Sequence, residues 1–109
     1  MESLPDKPTL SDLQLYIAAL CKEKGWDKNS KEEIFMLFIE EVGELAKAMR
    51  DADSMYQEKA KKGASFGLRE EFADVLNYLL DLANYFKVDL EQAFREKNKI
   101  NEKREWERE

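Results

Sequence analysis

The chain contains no histidine. That absence removes Ser-His-Asp and Cys-His nucleophilic sites built within one chain, histidine-ligated zinc, and the Glu-x-x-His ligation of ferritin-like di-iron bundles. Cys21 is the only cysteine in 109 residues, which excludes an intrachain disulfide and fits a reducing compartment. Its position inside the first predicted helix marks it as a small core or interface residue. Four glycines and two prolines leave few breaks, and with 39% charged residues and abundant Leu, Ala, Glu and Lys they predict an all-α chain. No apolar run approaches the ~18 residues of a membrane span, and no basic, apolar, small-residue leader is seen, so no membrane partner and a cytoplasmic location are expected. A formal net charge of −6 argues against binding a nucleic-acid polymer, which needs a basic face.

The remaining composition organises into one domain of ordinary size. Residues 1–9 read as a flexible lead, and residues 10–109 as a single all-α unit. A first helix is predicted from about Leu10 to Lys24, with Ser11 and Gln14 at capping-box spacing and Gly25 as its stop. Trp26 and Asp27 then fall in a short loop. A second helix follows Ser30, whose capping box is completed by Glu33, and continues to about Asp51 or beyond. A third runs from about Gly67 to Phe86, and a fourth from Leu90 to about Trp106, with Asp89 as N-cap and Gln92 at N3. The polar stretch 51–67 joins helices two and three; its QEKAKK segment could extend the second helix, while Gly63, Ser65 and Gly67 mark a hinge or a flexible crossover. The expected architecture is a short four-helix bundle.

Two acidic clusters interrupt these apolar helices: Glu40, Glu41 and Glu44 in IEEVGELAKAM, and Glu71 with Asp74 in REEFADVLNYLL. Carboxylates at i and i+3 share one helix face, so two such pairs on facing helices line a cage with oxygen. At about 100° per residue, Glu41 falls near the middle of the face formed by Ile34, Leu37, Phe38, Leu45, Ala48 and Met49. Glu44 lies at its edge, about 60° away. An ionised carboxylate in that position is costly unless a cation or donor compensates it. Glu71 borders the stripe of Phe72, Val75, Leu76, Leu79, Leu82, Ala83 and Phe86; Asp74 is one step further toward the polar side. An all-carboxylate site favours Mg2+, with Mn2+ able to substitute. Such a cation reverses the local potential, so even this acidic chain could hold a polyphosphate.

Helices two and three also carry more apolar surface than a chain of this size can cover. Phe35, Ile39, Val42 and Ala46 widen the face of the second, and Ala73 and Leu80 that of the third. A homo-oligomer, dimer or tetramer, is therefore expected.

The ordered set Glu40-Glu41-Val42-Gly43-Glu44, a spacer, then Glu71-Phe72-Ala73-Asp74 resembles the EExxE and ExxD signature of MazG-like nucleoside triphosphate pyrophosphohydrolases. These all-α enzymes cleave a nucleoside triphosphate into the monophosphate and pyrophosphate. The similarity extends from about Trp26 to Trp106 and includes EVGELAKAM, EFADVLNYLLDLA and KNKINEKREW. It implies that Glu41, Glu44, Glu71 and Asp74 ligate Mg2+. Glu40 would be an outer group, a ligand of a further ion or a water-orienting base. The resemblance further implies that Lys97, Asn101 and Arg104 face the phosphates, that Tyr78 is a substrate-side aromatic, and that Trp26 lies near the nucleotide base. Two other readings suit the same residues: a non-catalytic helical interaction module, and a hydrolase of the same fold acting on a phosphoribosyl nucleotide intermediate. Base and sugar preference are not readable from the spacing.

Overall fold

A computed structural model describes residues 1, 3–53 and 64–104, with the side chains of 64–66 outside the description. Four α-helices follow in order: α1 (Leu10–Lys24), α2 (Lys31–Asp53), α3 (Ala64–Tyr85) and α4 (Leu90–Lys103), with a 3-10 turn, Trp26–Lys28, between α1 and α2. The described residues contain no strand. None of their helices is long and apolar enough to cross a membrane.

Local sequence explains most of the boundaries. Ser30 and Glu33 form the expected reciprocal box before α2: the Glu33 amide donates to Ser30 Oγ at 3.2 Å and the Ser30 amide to Glu33 Oε1 at 3.0 Å. Asp89 caps α4 by accepting from the Gln92 amide at 3.0 Å. Gly25 closes α1 at φ 77, a left-handed conformation that suits a residue without Cβ.

The N-cap of α1 differs from the sequence expectation. Thr9 and Asp12 form the box, and Ser11 and Gln14 do not. The reason is tertiary: Gln14 is buried, its Nε2 donates to Val88 O at 2.8 Å and Asn84 Oδ1 at 3.2 Å, and its Oε1 accepts from the Leu90 amide at 2.9 Å. Ser11 turns instead toward Glu91. Two further expectations change. Helix α3 begins at Ala64, so Ser65 and Gly67 are helical and no hinge exists there. Helix α4 ends at Lys103, where the Arg104 amide folds back on Asn101 O and Arg104 is extended; Trp106 lies outside the described residues. The possible extension of α2 through QEKAKK, and Gly63, also lie outside them.

Helix α3 is the centre of the fold. It pairs with α2 along one flank and with α1 along another, and α4 packs on α1. The tightest packing joins Ile17 and Cys21 of α1 to Leu80 of α3, which is 1% exposed, with Leu10, Leu13, Tyr16, Leu20 and Leu90 around them. Other apolar groups stay uncovered in the single chain, among them Phe35 and Ile39 of α2 and Phe72, Leu79 and Phe86 of α3. The Cα radius of gyration is 17.1 Å, well above the ~13 Å of a compact chain this long.

Candidate active site

Three of the acidic residues, one from α2 and two from α3, meet where these helices run together. Carboxylate oxygens of Glu41 from α2 and of Glu71 and Asp74 from α3 lie within 4.8 Å of one another, and all three side chains are half-buried. Glu71 Oε2 is buried without a hydrogen-bond donor. The group beside it is another carboxyl, that of Glu41, which can donate only when protonated. Desolvation pushes the Glu41 carboxyl above the usual carboxylate range, reinforced by its contact with Glu71 and by the negative charges of Asp74, Glu71 and Glu40. Like charges held together in a partly desolvated seam, one of their oxygens lacking a donor, suit a hard divalent cation. Of the other acidic residues singled out from sequence, Glu40 and Glu44 are both exposed on α2, outside this trio.

A cavity of about 450 Å³ opens beside the cluster and shares Asp74 with it. Trp26 and Asn29 contribute from the turn after α1, and Asn77, Tyr78 and Asp81 from α3, over an apolar floor supplied by α1 and Leu37. The structure thus brings Trp26 and Tyr78 to one cavity next to the carboxylates. Trp26 remains half exposed, at 50%, with its ring open to a ligand. Desolvation, then the nearby charges of Glu41, Asp74 and Asp81, raise the Tyr78 phenol, so its hydroxyl remains a donor at neutral pH.

Asp81, Asn77 and Asn29 were not singled out from the sequence, and Cys21, read there as a small core or interface residue, is indeed buried and also lines the cavity. The signal for Asp81 is present in retrospect: it is a lone charge inside LNYLLDLA, two turns after Asp74 and one after Tyr78. The Cys21 thiol and the Asp81 carboxyl line the cavity together, and burial pushes both up, the thiol to about 11. Residues Lys97, Asn101 and Arg104 are not among the cavity's lining residues. Lys97 is exposed on α4, Asn101 is half-buried and donates to Asn98 Oδ1 at 3.3 Å, and Arg104 is exposed at the helix end.

An all-helical fold with a carboxylate trio shared by two paired helices, beside an aromatic-walled cavity, defines a class of acidic cation-site proteins. The comparison with known proteins narrows it. The MazG nucleotide pyrophosphohydrolase domain matches residues 29–107, and the chain belongs to that family. It is 32% identical over 106 residues to human dCTP pyrophosphatase 1, covering 94% of this chain and 62% of the human protein. It is 35% identical over 100 residues to a dATP/dGTP diphosphohydrolase of Cyanophage S-2L, covering 92% of this chain and 80% of the phage protein.

Proposed function

We propose that the chain is a divalent-cation-dependent nucleoside triphosphate pyrophosphohydrolase, releasing a nucleoside monophosphate and pyrophosphate. The observation that carries this reading is the convergence of Glu41, Glu71 and Asp74 around a buried, donorless Glu71 oxygen, beside a cavity walled by Trp26 and Tyr78. Family membership and relatives named for dCTP and for dATP/dGTP support the substrate class. In this reading the carboxylate trio holds Mg2+ or Mn2+, with Glu44 joining from the next turn of α2. A bound cation supplies Lewis-acid polarisation of the phosphate oxygens and of the attacking water. Glu40 accepts the proton of that water. Trp26 stacks on the base, and the protonated Tyr78 hydroxyl donates to the nucleotide. Lys97 and Arg104 offset charge on the departing pyrophosphate and the Asn101 amide donates to a phosphate oxygen, from the same chain or from a second copy.

The active unit in this proposal is a homo-oligomer, a dimer or tetramer. Exposed Phe35, Ile39, Phe72, Leu79 and Phe86 support it, as does the extended shape of the single chain.

Incubation with a panel of canonical and modified nucleoside triphosphates, with chromatographic identification of products, tests the activity. Pyrophosphate and monophosphate should appear only with Mg2+ or Mn2+ and should be largely lost in Glu41→Gln and Glu71→Gln. Full activity under chelator, or inert behaviour toward every triphosphate while a phosphoribosyl nucleotide is cleaved, would reject it.

A further inference from the structure

The inner end of the cavity is chemically distinct from its cation side. Along α3, Asp74 and Asp81 are seven residues apart, about 10 Å along the axis. That is the order of the reach from an α-phosphate to the hydrogen-bonding edge of a base. Asp81 lines the cavity at that distance, beside Ile17, Leu20 and Cys21 of α1, while Trp26 and Tyr78 supply its aromatic groups. Its neighbour on the cavity wall is the Cys21 thiol, a weak donor able to serve at most one of roughly four acceptor positions on a carboxylate.

We propose that Asp81 is the specificity-determining residue of this cavity: its carboxyl accepts a hydrogen bond from the exocyclic amine of an amino-bearing base and selects cytosine, adenine or guanine nucleotides against those of uracil and thymine. The inference rests on the proposed function for the direction in which the nucleotide lies. A carboxyl group offers an acceptor oxygen in either protonation state, so an exocyclic amine is satisfied in both. Uracil and thymine present one ring N–H flanked by two carbonyls, and those oxygens meet the carboxylate with lone pair against lone pair. In this partly desolvated cavity water offsets that mismatch only in part. A hydrogen bond to a charged group, made in one case and lost in the other, corresponds to about a 10- to 100-fold preference.

Two measurements test this. The first is kcat/KM for dCTP, dATP, dGTP, dTTP and dUTP, together with the analogues that lack only the amine: 2-pyrimidinone, unsubstituted purine and hypoxanthine deoxynucleoside triphosphates, respectively for the three amino-bearing bases. The second is binding of dCMP, dAMP, dGMP and dTMP followed by tryptophan fluorescence, which needs no hydrolysis and so separates a failure of base selection from a failure of the proposed activity. The wild-type protein should favour at least one amino-bearing base over dTMP and dTTP by about 10-fold or more, and lose a similar factor on its desamino analogue. Asp81→Asn, whose amide can donate to a carbonyl, should narrow or invert the preference, and Asp81→Ala should flatten it, with helical circular dichroism retained in each. Equal binding of all monophosphates by the wild type, indifference to the missing amine, or an unchanged preference in a folded Asp81 variant would each overturn the assignment.

Discussion

Single residues in this chain carry opposing demands, and Glu71 shows them most clearly. Its buried oxygen has no donor and faces the Glu41 carboxyl in a cluster of like charge. Without a cation, Glu71→Gln should raise the melting temperature, because it removes repulsion and gives the seam an N–H donor. With Mg2+ the ordering should reverse: saturation at a hundredfold excess over Kd stabilises the wild type by about 2.7 kcal/mol, and the variant should lose most of that response. Thermal melts with and without Mg2+ decide it, and an equal Mg2+ response in both proteins would remove Glu71 from the site. The pH dependence follows from Glu41 and Asp81, whose carboxyls are held above their ordinary values chiefly by desolvation. The folded state then binds more protons than the unfolded one, so their contribution to stability falls as pH rises from about 4. Chelator-treated Asp81→Asn should show a flatter decline of melting temperature with pH than the wild type. At Cys21 the same burial, with Asp81 beside it, pushes the thiol to about 11. Its reaction with a maleimide at pH 7.5 should be slow in the native protein and accelerate on addition of denaturant.

At the scale of elements, boundaries set by adjacent residues were readable and those set by distant contacts were not. Ser30 with Glu33 and Asp89 with Gln92 are local pairs, and both cap as their spacing predicts. Ser11 and Gln14 have capping-box spacing too, but contacts 70 or more residues away claim both side chains. Gly67 looked like a hinge because glycine costs about 1 kcal/mol in a helix; pairing of α3 with α2 outweighs that cost, and the helix runs through it. The i, i+3 spacing pointed to Glu41, Glu44, Glu71 and Asp74 together, and three of them converge. Glu44, one turn on along α2, stays exposed outside the trio, because spacing fixes a shared helix face but not which residue of it meets α3. The inner cavity was not legible, because Cys21, Asn29 and Asp81 come together only once α1 lies on α3. Gln14 is the brace for that arrangement: it ties α1 to the turn at Val88 and to the first amide of α4. Gln14→Ala strands the Val88 carbonyl and the Leu90 amide and should cost about 1–3 kcal/mol, read as a lower urea midpoint with an unchanged slope. Lys87 in that turn adopts φ 56, where a side chain is strained, so Lys87→Gly should add up to about 1 kcal/mol of stability, read as a higher urea midpoint.

Among the described residues, α2 and α3 leave apolar side chains uncovered on the side away from the carboxylates. On α3, Phe72 and Leu76 each lie about 200° around the helix from Asp74, and both are exposed, as are Phe35 and Ile39 of α2. One helix pair therefore presents the carboxylate cluster on one side and an apolar stripe on the other. A chain with so few fully buried apolar residues gains core by placing two such stripes face to face, and symmetric pairing of the same patch is the commonest closed solution. An obligate interface of this kind buries on the order of 2,000 Å² or more in total. Sedimentation at low micromolar concentration should therefore give a mass at least twice that of one chain. Phe72→Glu, which sets a charge in the stripe, should shift the protein toward monomer and lower its melting temperature. Association would also settle the role of α4, which packs on α1 and leaves Lys97, Asn101 and Arg104 outside the cavity of its own chain. Mixing Glu41→Gln chains with Arg104→Ala chains, each inactive alone, should restore part of the turnover if a neighbour's α4 serves the site. No recovery in a mixture shown to exchange subunits would place those residues with their own carboxylates, and a fully active wild-type monomer would refute the requirement for association.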